Sequence, residues 1–232
     1  MIPFAEEFER SALKFKEHIS VNSQQLTGKI RIGTPDGLGN CYLASELKAL
    51  QEKNPLLEVE LVSVPIYYSL SKREVDILIT VTRPTAKRIM VEKIISYKFG
   101  LFASIEYLKS TPAIQDVADL NEHRLIGYID DLLYDQRLRF LEEIFPAART
   151  VFRSSTVLGQ MSAIKAGAGI GVLPFFMIQT ESDLVRILPD KYVEREFWIQ
   201  VNPDSSKLTR VKETIDFILN IMRGDDKIFN SL

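Results

Sequence analysis

Residues 26–40, LTGKIRIGTPDGLGN, constrain the fold more than any other part of the chain. They read as a short strand, a turn and the start of a helix. Ile30 and Ile32 share one face, because side chains alternate along a strand. Gly33, Gly37 and Gly39 loosen the backbone, and Pro35 with Asp36 supplies turn chemistry. Beyond Asn40, Leu43, Leu47 and Leu50 recur at helical spacing. Such a turn aims unpaired helix N–H groups at the mouth of a sheet, where α/β proteins hold small ligands. Any βα unit needs a similar turn, so this stretch specifies architecture before it specifies activity.

The rest of the chain extends the pattern. In residues 1–21, Ala5, Phe8, Ala12, Phe15 and Ile19 alternate spacings of three and four. This heptad-like stripe predicts a helix too short to stand alone, so it must pack on its own domain or on a second copy. A polar hinge follows at 22–25. The helix after the opening strand should stop at Asn54-Pro55. LEVELVSV (57–64) alternates as a second strand, a short connection passes Tyr67 and Leu70, and VDILITV (75–81) reads as a buried strand. These elements imply a parallel sheet.

A second unit is expected to begin near Phe99, within β-rich KIISYKFGLFAS (93–104). HRLIGYI (123–129) is its next strand, and Tyr134, Leu138, Leu141 and Phe145 predict a helix ended by Pro146. TVFRSS (150–155) is a strand, with Ser155 or Thr156 capping the helix behind it. GIGVLP (169–174) and REFWIQV (195–201) are further strands. The last helix, with Leu208, Val211, Ile215, Ile218 and Met222 in register, should return to the first unit. Two chain crossings then join two lobes, and a gap for a small molecule is expected between them.

Composition narrows the function. A net charge of −2 gives these residues no basic excess for gripping phosphates. One cysteine, Cys41, precludes an intrachain disulfide and points to a reducing, cytoplasmic setting. The acidic N-terminus is unlike a signal peptide, and no apolar run is long enough to cross a bilayer. His18 and His123 are the only histidines and no Cys/His cluster has metal-ligand spacing, so neither catalysis nor a cofactor is expected. The GTPDGLG turn lacks the order of a dinucleotide-binding loop.

Binding is the better reading. Four loops (34–38, 82–84, 129–131 and 154–157) fall at strand carboxyl ends. Two lead into helix N-termini, which suit an anion, and Arg83 and Arg153 are placed to pair with one. Asp36 and Asp130 pull the other way.

In order along the chain, LTGKIRIG, LASELKALQEKNPLLEVELV, REVDILITVTRP and AIKAGAGIGVLP resemble the effector-binding region of LysR-type transcriptional regulators. The first twenty residues resemble that family's linker helix, and its winged helix-turn-helix is absent from this chain. The family's early helix proline is Ala44 here, its glycine before the third strand's aspartate is Arg73, and a serine or threonine often found at Gly37 is missing.

The resemblance implies an α/β fold of two Rossmann-like subdomains of periplasmic-binding-protein type 2, preceded by an N-terminal helix. The expected division is a linker and dimerisation helix at 1–25, subdomain I at 26–98 plus 202–226, and subdomain II at 99–201. It also implies a small-molecule effector in the cleft and a homodimer or homotetramer. DNA would be reached only through an N-terminal domain outside this chain. Thr34, Asp36, Gly37, Leu38, Thr82 and Arg83 are the expected ligand contacts on one wall. Asp130, Ser155, Thr156 and Phe175 are expected on the other. A solute-binding protein serving a transporter is the alternative on the same fold, and an enzyme on that scaffold lacks a recognisable acid/base pair.

Overall fold

The computed structural model describes residues 25–63, 74–84, 90–133, 135–201 and 205–232. The expected N-terminal helix, the connection through Tyr67 and Leu70, and Tyr134 lie outside these residues, apart from position 25. Strand β1 (Thr27–Thr34) leads through a helical turn (Asp36–Leu38) and a π-helical turn (Gly39–Leu43) into α1 (Ala44–Lys53). Strands β2 (Leu56–Ser63) and β3 (Ile77–Thr80) flank β1, both parallel to it. Ile30 and Ile32 are fully buried, as their alternation requires. Asn54 ends α1: its amide donates to the Leu50 carbonyl at 2.9 Å, and its side-chain oxygen accepts from the Leu26 N–H at 2.8 Å. The helix stop therefore also anchors the entry to β1.

Beyond β3 the chain departs from simple βαβ order. Strand β4 (Met90–Ser104) runs unbroken through the point where a new unit was expected. After it come α2 (Ile105–Lys109), β5 (Leu125–Tyr128), α3 (Phe140–Ile144), β6 (Thr150–Ser154), α4 (Val157–Lys165) and β7 (Gly171–Pro174). Strand β8 (Leu184–Val201) begins eleven positions before the expected REFWIQV segment and pairs antiparallel with β4 over nearly its whole length. The six-stranded order is β2-β1-β3-β8-β4-β7, and parallel β5-β6 is tied to it by a bridge from Leu125 to Ile170. The two expected lobes are thus not separate sheets. Strands β4 and β8 belong to both, and register shifts after Lys93 and Gly100 let the long pair bend.

The expected helix over 134–145 is reduced to a 3₁₀ turn (Gln136–Leu138) and the single-turn α3. Asp135 accepts from the Arg137 N–H at 2.9 Å, a local bond that competes with a longer helix. Its apolar residues Leu138, Phe140, Leu141 and Phe145 are nevertheless buried.

Helix α5 (Thr209–Gly224) does return to β1. Val211, Thr214, Ile218 and Met222 form its buried stripe, and the Arg210 guanidinium donates to the Lys29 carbonyl at 2.9 Å. Arg223 donates to the carbonyls of Lys93 and Ile94 at 2.7 and 3.2 Å, and α6 (Asp226–Asn230) buries Phe229 against the same side.

Gly169 joins α4 to β7 at φ +157°, and a Cβ there would lie 2.3 Å from the Arg124 carbonyl oxygen. The opposing group is backbone of the segment leading into β5, which cannot swing aside. Gly169→Ala is expected to destabilise the fold by about 1–3 kcal/mol in urea unfolding, with the circular-dichroism spectrum of the folded state retained.

Candidate functional site

The turn after β1 meets the N-terminus of α4. Asp36, only 4% exposed, places one carboxylate oxygen 2.9 Å from the Val157 N–H and 3.4 Å from the Leu158 N–H. Thr156 caps the same helix by accepting from the Gly159 N–H at 3.1 Å, while Ser154 accepts from the Thr156 N–H at 3.2 Å. The end of α4 that would attract a ligand's anion is therefore filled by a carboxylate of the chain itself. Burial raises the pKa of Asp36 above its ordinary 3.8, against the lowering pull of those N–H groups.

Gly37 explains how the two sides come so close. It has ordinary helical geometry, not the loosened backbone expected of it, but a Cβ there would stand 2.7 Å from Val157 Cγ1 and 2.9 Å from Met177 Sδ. The missing side chain is what admits contact.

Inside this seam lie Leu38 and Val81 from one side, and Val157, Pro174 and Phe176 from the other. Tyr97 and Phe99 on β4, Phe197 on β8, and Phe140 on α3 complete it. Tyr97 stacks on Phe197 at 3.9 Å between centroids, and Phe99 on Phe140 at 3.9 Å. The cavity left is only about 20 Å³, room for about one water. At Asp36 the two sides therefore meet in a closed, aromatic-filled seam, and the open space lined from both expected lobes lies beside it, against Val81, Arg83, Arg137 and Trp198. The alternation that places the seam's rings on the strands would mark them as ordinary core, so nothing in the sequence separated them from it.

The other expected contacts are distributed as follows. Thr34 is buried, its hydroxyl directed to the Pro35 carbonyl at 3.4 Å. The Thr82 carbonyl accepts from the Thr80 hydroxyl at 2.8 Å, and Arg83 is exposed, with its guanidinium 5.4 Å from the Trp198 ring centre. Ser155 is half-buried beside Thr156. Asp130 forms an ion pair with Arg153 and a longer one with Arg139 at 3.4 Å, so Asp130 and Arg153 satisfy each other. Phe175 lies edge-on to Phe102 and under Arg186, and its neighbour Phe176 is the residue in the seam. Cys41 is half-buried, and burial with the nearby Asp36 and Glu181 charges pushes its thiol pKa up, away from reactivity. His123 is a core residue whose Nδ1 is 3.2 Å from the Tyr107 hydroxyl. Among the described residues no three His, Cys, Asp or Glu side chains are grouped to hold a metal, and no helix is long and apolar enough to cross a membrane.

Residues 23–223 match the LysR substrate-binding domain. The chain belongs to that family. Solved structures agree on the fold of this LysR-family domain. The regulatory domain of CrgA, a LysR-type transcriptional regulator from Neisseria meningitidis, superposes with a TM-score of 0.77 at 20% identity, covering 85% of this chain and 100% of that one. The regulatory domain of AphB from Vibrio vulnificus gives 0.65 at 24% identity, with 83% and 100% covered. The effector domain of the transcriptional regulator AmpR of Pseudomonas aeruginosa gives 0.71 at 15% identity, with 86% and 98% covered. A search of curated protein sequences finds no match.

In this LysR-family domain the Asp36 contact has two separable consequences. Asp36→Ala leaves the buried Val157 N–H without an acceptor and is expected to cost about 1–3 kcal/mol. Asp36→Asn keeps an acceptor oxygen and removes the ionisation, so its cost at neutral pH is expected to be smaller. Because the folded-state pKa of Asp36 is raised, the folded protein binds its proton more tightly than the unfolded chain does. That contribution to stability is full below the unfolded value and is lost as pH rises through the folded one. The difference in stability between wild type and Asp36→Asn, followed by denaturant titration from acid to neutral pH, should therefore shift against the wild type as pH rises.

Proposed function

We propose that this LysR-family effector-binding domain senses a small metabolite by changing how its two lobes meet at the Asp36 seam. The lobes are taken as residues 26–98 with 202–226, and 99–201, bending where β4 and β8 pass between them. The observation that carries the reading is the pair of hydrogen bonds from the α4 N-terminus to Asp36: a few polar contacts and one glycine-sized approach hold the seam shut. A ligand that binds the parted seam better than the closed one shifts the balance by its difference in affinity for the two states, and by no more.

The altered lobe orientation is read out through the geometry of a homodimer or homotetramer assembled partly through residues 1–25. DNA is contacted by an N-terminal domain outside this chain, and the setting is cytoplasmic. The domain acts as a regulator and not as an enzyme, in keeping with a family of transcriptional regulators.

A thermal-shift screen of small metabolites tests this. Ligands that raise the melting temperature of the wild type are expected to lose their effect in Gly37→Leu, whose side chain both parts the seam and fills the space beside Val157 and Met177 that the ligand would take. The same variant should show a larger radius of gyration by small-angle scattering. Stabilisation that survives unchanged in Gly37→Leu, Thr82→Ala and Thr156→Ala would move the ligand elsewhere.

A further inference from the structure

The last residues of the chain touch both of the lobes proposed above. Where they begin, the Tyr42 hydroxyl, just after β1, donates to the Asp225 carboxylate at 2.7 Å. In their middle Phe229 is fully buried, its ring centre 4.9 Å from that of Tyr42 and 5.2 Å from that of Phe176, in the turn after β7. Where they end, the Gln179 side-chain amide donates to the carbonyls of Ile228 and Ser231, both at 3.0 Å. Tyr42 belongs to one lobe, and Phe176 and Gln179 belong to the other.

The same segment holds the bend between the lobes. The Asn230 side-chain amide donates to the Ser96 carbonyl at 3.0 Å, and Ser96 lies on β4 between the register shifts after Lys93 and Gly100. A turn of one lobe against the other about that stretch moves Tyr42 relative to Gln179. The segment cannot follow both unchanged.

Its fastenings differ in strength. Phe229 has no exposed surface, so lifting it out would return a whole aromatic ring to water. Gln179 is exposed, and its bonds compete with water, so each contributes little. They satisfy carbonyls that the end of α6 leaves without a partner inside the helix. The Gln179 fastening can therefore let go while Phe229 stays seated.

From this arrangement we infer that residues 225–232 are a strap across the two lobes, with Phe229 as its fixed point and Gln179 as its latch. Releasing the latch lets the Asp36 seam open more often. The strap presupposes the two-lobe reading, and by linkage an opened seam loosens the latch by the same factor.

Amide hydrogen exchange read by NMR tests this. The Val157 N–H, whose acceptor is Asp36 on the other lobe, reports opening of the seam. Amides of β1 and β7, one strand from each lobe, report general loss of stability. Gln179→Ala is expected to speed Val157 exchange about threefold or more, with the β1 and β7 amides unchanged. Asp225→Ala, which unfastens the other end, should do the same, and Leu232→Ala at the exposed chain end should not. The strap is overturned if Val157 exchange keeps its wild-type rate in Gln179→Ala or Asp225→Ala, or if the β1 and β7 amides speed up in proportion. Gly37→Leu separates the two proposals. If it speeds Val157 exchange and Gln179→Ala does not, the strap alone fails; if neither does, the lobes do not part and both readings fail.

Discussion

Two strands are common property of both halves of this domain, and that constraint shapes everything else. Because β4 and β8 hydrogen-bond to each other from Met90–Val201 to Ser104–Leu184, the halves cannot slide or separate without breaking a ladder. They can only bend where the ladder is already irregular, after Lys93 and after Gly100. Under the two-lobe reading proposed above, relative motion would take the form of hinge-like flexing about that narrow zone. What the flexing opens or closes is fixed by geometry: the turn after β1 on one side and the start of α4 on the other.

At that meeting point the chain supplies its own anion. A helix N-terminus in a closed cleft needs an acceptor for its leading N–H groups, and Asp36 provides one from the opposite side. This makes the closed seam self-sufficient, but it also buries a carboxylate whose charged form is disfavoured there. The contact is thus a weak clasp, favourable for the helix and unfavourable for the ion. Gly37 beside it is required for the same closeness, since the Val157 and Met177 side chains occupy the space a Cβ would need.

The sequence carried the local elements well and the long-range ones poorly. Ile30 and Ile32, the Asn54-Pro55 stop, the Thr156 cap and the α5 stripe each rest on short-range rules of spacing or capping, and each has its structural counterpart. The extent of β4 and β8 was hidden because Tyr97, Phe99 and Phe197 suit a strand in any sheet, and nothing local says that one strand serves two halves. Asp36 was legible as a turn residue, but its partner is 121 positions away. Phe175 and Phe176 follow β7 in a 3₁₀ turn, where regular alternation ends, so nothing local says which ring faces the seam.

The aromatic rings explain why a small change at the seam need not stay there. Phe140 stacks on Phe99, Phe99 touches Tyr97, and Tyr97 stacks on Phe197. From Tyr97 and Phe197 the contacts continue through Phe176 to Phe229 on α6, and from Phe229 to Tyr42 after β1. The Tyr42 hydroxyl then donates to Asp225 at 2.7 Å, at the junction of α5 and α6. Rings packed at these distances do not compress gradually, so a rotation of one half against the other must reseat several of them together. The C-terminal helices are thus joined by direct contact to the same aromatic floor that the seam covers, which is the route by which the proposed lobe movement would reach them.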